Sequence, residues 1–235
     1  MMANRYSSIS DNVRAIREKM AQAAIRAGRN PDEVELMAVT KTQPPQLVNA
    51  AIEAGINLIG ENRAQELLSR YGDYRLQNTS IHFIGGLQRN KVRQIIDKVD
   101  LIQSVDSIKL AEEINSRAAM AGKVMDVLIE VNIGGEDSKE GVRPEDAPSL
   151  SQELAGFSSL RLRGIMTIPP FSASPGETER FFYRTRELFV DISGKKVDNS
   201  SVDILSMGMS DDFELAIQHG STLCRIGSAL FGARI

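Results

Sequence analysis

The sequence predicts an α/β chain folded as a single (β/α)8 TIM barrel, on three observations. Short apolar runs rich in β-formers alternate with helical patterns, strand then helix, eight times over. The runs are almost continuously apolar, as strands buried on both faces of a parallel sheet with right-handed crossovers should be. The length of 235 residues is close to the ~250 typical of such barrels. An open doubly wound sheet is the alternative, but no glycine-rich dinucleotide fingerprint follows the first strand.

Taken in order, the chain opens with a long amphipathic helix, about Ser7 to Gly28. The strand runs are EVELMAVT (33–40), INLIGE (56–61), SIHFIGG (80–86), DLIQSV (100–105), MDVLIEVNI (125–133), LRLRGIMTI (160–168), VDILSMG (202–208) and TLCRIG (222–227). Between the first two, PPQLVNAAIEAG has Pro44 and Pro45 at a helix start and Gly55 just past its end, the usual asymmetry of helix termini. SIKLAEEINSRAAMAG aligns Ile108, Leu110, Ala111, Ile114 and Ala118 on one stripe, with Gly122 closing it. PGETERFFYRTRELFVDIS repeats its aromatics, Leu188, Phe189 and Ile192 at helical spacing. SDDFELAIQHG opens on Ser210, Asp211 and Asp212, favourable first-turn residues, and stops at Gly220. After the last strand only Ser228 to Ile235 remain, too few for a full eighth helix. The N-terminal helix is expected to cover the barrel there. No linker, low-complexity segment or charge run divides the chain, so residues 1–235 are expected to form one domain.

Composition narrows the function. A net charge of −3 gives no basic field to attract nucleic acid or an anionic membrane. A single cysteine, Cys224, forbids an internal disulfide and suits a reducing cytoplasm. With two histidines and that cysteine, no zinc-type ligand cluster can assemble. The polar start MMANRYSSIS lacks the apolar core of a signal peptide, and no run approaches the length of a membrane span. These observations predict a soluble cytoplasmic protein with neither nucleic-acid nor membrane partners.

In such barrels the active site lies at the C-terminal strand ends. Strand one runs into Lys41, and lysine is seldom buried without a partner. It is either the first solvated residue of a loop or an amine carried to the mouth of a site. Strand two ends in Glu61 and Asn62, strand three carries His82, and strand six ends in Met166 and Thr167. Strand seven leads into SMGMS (206–210), with Ser206, Gly208 and Ser210, and strand eight brings Arg225, Gly227 and Ser228. Glycines and free amides at the two helix starts after strands seven and eight suit a phosphate. Ordinary glycine turns and serine caps are the other reading. Phosphate cradle, lysine and arginine together describe a phosphorylated carbonyl compound held as a Schiff base. The amine reacts only when neutral, and partial burial beside Arg225 would lower its pKa. Pyridoxal phosphate (PLP) has all three features to match.

The pieces AVTKTQP, GENRAQE, HFIGGLQRNK, GIMTIPP, SMGMSDDFELAI and CRIGSALFG span nearly the whole chain. On them the sequence resembles the pyridoxal phosphate homeostasis protein family, which is related to the barrel domain of alanine racemase. The resemblance implies a cytoplasmic monomer that holds PLP covalently on Lys41. It implies phosphate contacts from Ser210, Gly227 and Ser228, with Ser206 and Gly208 in the same loop, and Arg225 facing the pyridine nitrogen. By the same analogy Asn62, His82 and Met166 line the pocket. For the minor residues bland readings stay open: a hydrogen-bonded core histidine at 82, a helix N-cap at Asn62, core packing at Met166. Ile81 departs from the family, which usually has an aromatic residue there, and is expected to change only packing.

The family implies a non-catalytic carrier and regulator of PLP that supplies PLP-dependent apoenzymes. The alternatives are a PLP-dependent amino-acid racemase and an aldolase-type barrel using Lys41 directly on a phosphosugar. Two expectations favour the carrier. The chain stops at Ile235, without the further domain that supplies alanine racemase with its second acid-base group. Arg225 cannot accept the pyridinium proton and so leaves the ring a weak electron sink. The long loop NIGGEDSKEGVRPED after strand five is expected to act as a lid, with Lys139 either reaching the cofactor or solvated.

Overall fold

The computed structural model describes residues 2–136, 138–195 and 200–232, with side chains from Ser8 onward. Eight parallel strands close into a barrel in chain order: β1 (Glu35–Val39), β2 (Leu58–Glu61), β3 (Ser80–Phe83), β4 (Leu101–Val105), β5 (Met125–Val131), β6 (Leu160–Thr167), β7 (Ser200–Ser206) and β8 (Leu223–Ile226). All eight fall inside or overlap the apolar runs of the sequence. β1 closes the ring on β8, with Met37 opposite Arg225 and Ala38 opposite Ile226.

The helices are α1 (Met2–Arg26), α2 (Pro45–Glu53), α3 (Ala64–Arg70), α4 (Arg89–Ile95), α5 (Ile108–Met120), α6 (Ala147–Ala155), α7 (Pro175–Gly194), α8 (Phe213–Gln218) and α9 (Ser228–Phe231). The period of two along each strand sorts the side chains into two layers. Outward residues such as Ile59, Ile81, Phe83, Ile129 and Ile226 pack under the helices in the main core. Ile81 thus fills a packing position in that layer, and its side chain is 1 % exposed. Inward residues fill the barrel: Met37, Leu58, Ile84 and Leu223 on one side, Leu101, Leu128 and Met166 on the other, both touching Ile204.

α1 takes the place that the one-turn α9 leaves open. It packs on α2, α8 and α9 through buried Ile9, Val13, Ile16, Met20 and Ala23. The Asn12 amide donates to the Leu230 carbonyl at 2.9 Å, and Arg17 donates to the Gly55 carbonyl at 2.6 Å. Two boundaries differ from expectation: α1 begins at Met2, ahead of the expected Ser7, and α8 begins late. Ser210, Asp211 and Asp212 do not form the first turn of α8, which starts at Phe213. They form the turn before it, because the Asp212 carboxylate accepts the Met209 amide at 2.6 Å and folds the chain back.

Candidate functional site

The cleft at the C-terminal ends of β1, β2 and β8 has a volume of about 380 Å³ and is lined by Lys41, Asn62, Ser210, Arg225, Gly227 and Ser228, among others. Six of the ten residues singled out in the sequence therefore meet at one place. Lys41 gets there by strand alternation: Met37 and Val39 face the barrel interior, and Lys41 is next on that side. Thr40, between them, is buried on the opposite side and donates its hydroxyl to Glu61 Oε1 at 2.6 Å.

The chain then turns sharply. Gln43 donates its amide to the Thr40 carbonyl at 3.0 Å, and Thr42 sits at φ +63°. A positive φ at the third position marks a type II turn, where glycine is the usual residue. A β-branched side chain is strained there.

Across the cleft, α9 presents its N-terminal amides. The amides of Gly227 and Ala229 donate to Ser210 Oγ at 3.3 and 3.2 Å. Asn62 is not a helix cap, since α3 is preceded by Arg63; it faces the cleft from the end of β2.

His82, Met166, Ser206 and Gly208 do not line the cleft. Three of them support it from beneath. Arg225 is 3 % exposed, and it donates from Nη1 to Ser206 Oγ at 2.7 Å and from Nη2 to the Thr167 carbonyl at 2.8 Å. Ser206 passes its own proton on to Gln103 Oε1 at 2.7 Å, which leaves Gln103 Nε2 to donate to His82 Nδ1 at 3.0 Å. The bonds all run one way, from guanidinium to imidazole, across four strands. They fix His82 as the neutral tautomer with its proton on Nε2. Burial pushes the His82 pKa down to about 3 and that of Arg225 down to about 10, so at neutral pH the arginine stays charged and the histidine does not. Gly208 is a packing glycine: its φ is +92° and a Cβ would lie 2.6 Å from that of Ala216 on α8. Its carbonyl accepts the Arg225 amide at 3.0 Å. Met166 is fully buried against Leu101 and Leu128. It is a core residue.

Gln103 was not foreseen. It sits in an apolar run, and its partner Ser206 is 103 residues away in sequence. Ile168 and the fully exposed Phe171 also border the cleft from the loop after β6. Lys139 lies outside the cleft lining. Its Nζ donates to the Pro169 carbonyl at 3.2 Å and pairs with Glu136 at 2.7 Å, so the β5 loop is fastened to the β6 loop. Burial together with Glu140 and Asp106 pushes the Glu130 carboxyl up to about 7, against the pull of the Arg225 charge.

Among the described residues no helix is long and apolar enough to cross a membrane, and no group of His, Cys, Asp and Glu could hold a metal ion. Residues 6–235 match the family model of the alanine racemase N-terminal domain. The pyridoxal phosphate homeostasis protein of Aquifex aeolicus (strain VF5) is 42 % identical over 217 residues, which are 92 % of this chain and 94 % of that one. Among solved structures, PipY of Synechococcus elongatus PCC7942 with PLP bound superposes with a TM-score of 0.82 at 29 % identity, covering 95 % of this chain and all of that one. The alanine racemase of Streptomyces coelicolor A3(2) shares the fold with a TM-score of 0.75 at 18 % identity, over 97 % of this chain and 59 % of its own.

Proposed function

The chain belongs to the pyridoxal phosphate homeostasis protein family, built on the alanine racemase N-terminal domain, and from that premise we propose that it binds PLP covalently through Lys41 and keeps the cofactor in reserve. The observation that carries this is the convergence of an amine, two helix-start amides with a serine hydroxyl, and a buried guanidinium on one cleft. The residues present fit the cofactor. The amides of Gly227 and Ala229 and the Ser210 hydroxyl suit phosphate oxygens, with Ser228 beside them. Lys41 and the buried Arg225 line the same cleft and would meet the carbonyl and the ring of the bound cofactor. When bound, the cofactor would supply an aldehyde carbon to which the Lys41 amine adds, the oxygen leaving as water.

Arg225 favours a carrier over a racemase. Both of its assigned bonds are donor bonds to protein oxygens, and a guanidinium has no acceptor to offer. Beside the ring nitrogen of a bound cofactor, it would hold that nitrogen unprotonated and withhold the charge that carbanion chemistry needs. The protein then exchanges its cargo without strong catalysis of its own. The same reading makes it a cytoplasmic monomer whose partners are PLP-dependent apoenzymes.

The test is direct. Protein loaded with PLP should turn yellow, and borohydride should fix the cofactor to the peptide containing Lys41. Lys41→Ala should abolish that label while keeping part of the non-covalent binding. A label on another lysine, with Lys41 unmodified, overturns the assignment. Exchange of the α-proton of L-alanine in deuterated water tests the carrier role: washout at a rate comparable to an authentic racemase, lost in Lys41→Ala, would make this an enzyme.

A further inference from the structure

The residues on either side of Lys41 are each held by a carboxylate. Thr40 is fixed on the outer face of the barrel wall: its amide donates to the Gly60 carbonyl at 3.0 Å, and its hydroxyl reaches Glu61 Oε1. Tyr74 donates to the same carboxylate oxygen at 2.7 Å, so this end of the turn belongs to the packed core. Thr42 has a different holder. Its amide donates to Glu66 Oε2 at 3.1 Å, from the first turn of α3. Glu66 is itself steadied by Arg70 at 3.3 Å and Arg63 at 3.4 Å.

Thr42 is one of two non-glycine residues with positive φ among those described, the other being Gln77. A β-branched residue persists in that region only where its surroundings impose it. The bond from Glu66 supplies the imposition. Without it, the threonine would relax toward negative φ, the Thr40–Gln43 turn would open, and the backbone of Lys41 would rotate with it.

We propose that Glu66 is a positioning residue for Lys41: by holding Thr42 in its left-handed conformation, it sets where the lysine amine stands in the cleft. The inference rests on the reading of Lys41 as the covalent anchor. Glu66 does not line the cleft and has no part in the bond change, in which the amine nitrogen adds to the aldehyde carbon and the oxygen departs as water. Its effect is confined to the approach of the amine.

Two probes separate these contributions. Pyridoxal 5′-phosphate reports covalent attachment, whereas pyridoxine 5′-phosphate carries an alcohol in place of the aldehyde and reports the cleft alone. Glu66→Ala should slow covalent attachment about 10- to 100-fold, the usual effect of misplacing a reacting group, and leave the affinity for pyridoxine 5′-phosphate unchanged. Glu66→Gln retains an oxygen for the Thr42 amide and should match the parent. Thr42→Gly in the Glu66→Ala background should restore the rate, because glycine adopts positive φ without strain. Glu66 is half-buried on a short helix, and the alcohol probe checks that each variant is folded. If the parent labels Lys41 and Glu66→Ala attaches at the parent rate, the inference fails while the function stands. It fails equally if pyridoxine 5′-phosphate affinity falls by the same factor, or if Thr42→Gly brings no recovery. A parent that labels another lysine overturns both.

Discussion

Ser210 carries the sharpest single-residue expectation. Its oxygen accepts from the Gly227 and Ala229 amides and so stands beside them at the socket we assign to phosphate. Ser210→Ala should weaken PLP retention by about 1–3 kcal/mol, the range for leaving a charged acceptor one bond short. Pyridoxal, which lacks the phosphate, should bind parent and variant alike. Equal loss of both ligands in a binding titration would make Ser210 a purely structural residue. Cys224 gives the opposite case, a nucleophile with no access. It is fully buried, and burial pushes its thiol up to about 12. A thiol reagent at neutral pH should label it only as fast as the protein unfolds; rapid stoichiometric labelling of the folded protein would contradict the packing.

Among the elements, α1 is the one a regular barrel lacks, and its energetics divide by face. Its buried stripe seals the wall between α8 and α2, so Ile16→Ala should cost about 2–5 kcal/mol, as other core truncations do. Arg26 pairs with Glu214 on α8 at 2.7 Å, but both side chains are about half exposed. Arg26→Ala should therefore cost no more than about 1 kcal/mol. Denaturant midpoints of the two variants check the contrast, and equal losses would mean that α1 is held by charge. The strands and α1 were legible in the sequence because burial on two faces, or on one stripe, leaves a local apolar pattern. The residues that meet at the cleft were legible for a related reason: glycine, serine and lysine at strand ends are local departures from that pattern. What joins them was not. Gln103 interrupts an apolar run that reads as core, and only barrel closure brings it between Ser206 and His82. The strain at Thr42 was hidden too, since threonine gives no sign of positive φ. The start of α8 was misplaced because Asp212 bonds backward to Met209, whereas Ser210, Asp211 and Asp212 suited a first helical turn.

On the scale of the whole molecule, the polar layer inside the barrel couples stability to pH through two groups of opposite sign. His82 has a pKa of about 3 in the folded protein against an ordinary 6.5. Between those values the unfolded chain binds the extra proton, so this group makes stability rise with pH and be lost on acidification. Glu130 runs the other way. Its pKa is about 7 against an ordinary 4.5, so the folded protein holds the extra proton and stability falls as pH rises through that window. Each slope has a limit of about 1.4 kcal/mol per pH unit for one proton. From about pH 4.5 to 6.5 the two oppose each other, and their sum is nearly flat. Replacing one residue should expose the other. Relative to the parent, His82→Gln, which keeps an acceptor for the Gln103 amide, should show stability falling with rising pH across that interval. Glu130→Gln should show stability rising across it. Urea midpoints at half-unit steps from pH 4 to 7 measure both difference curves. Two variants whose curves run parallel to the parent's would mean that neither group is held out of its ordinary protonation state, and that the barrel interior is wetter than its packing implies.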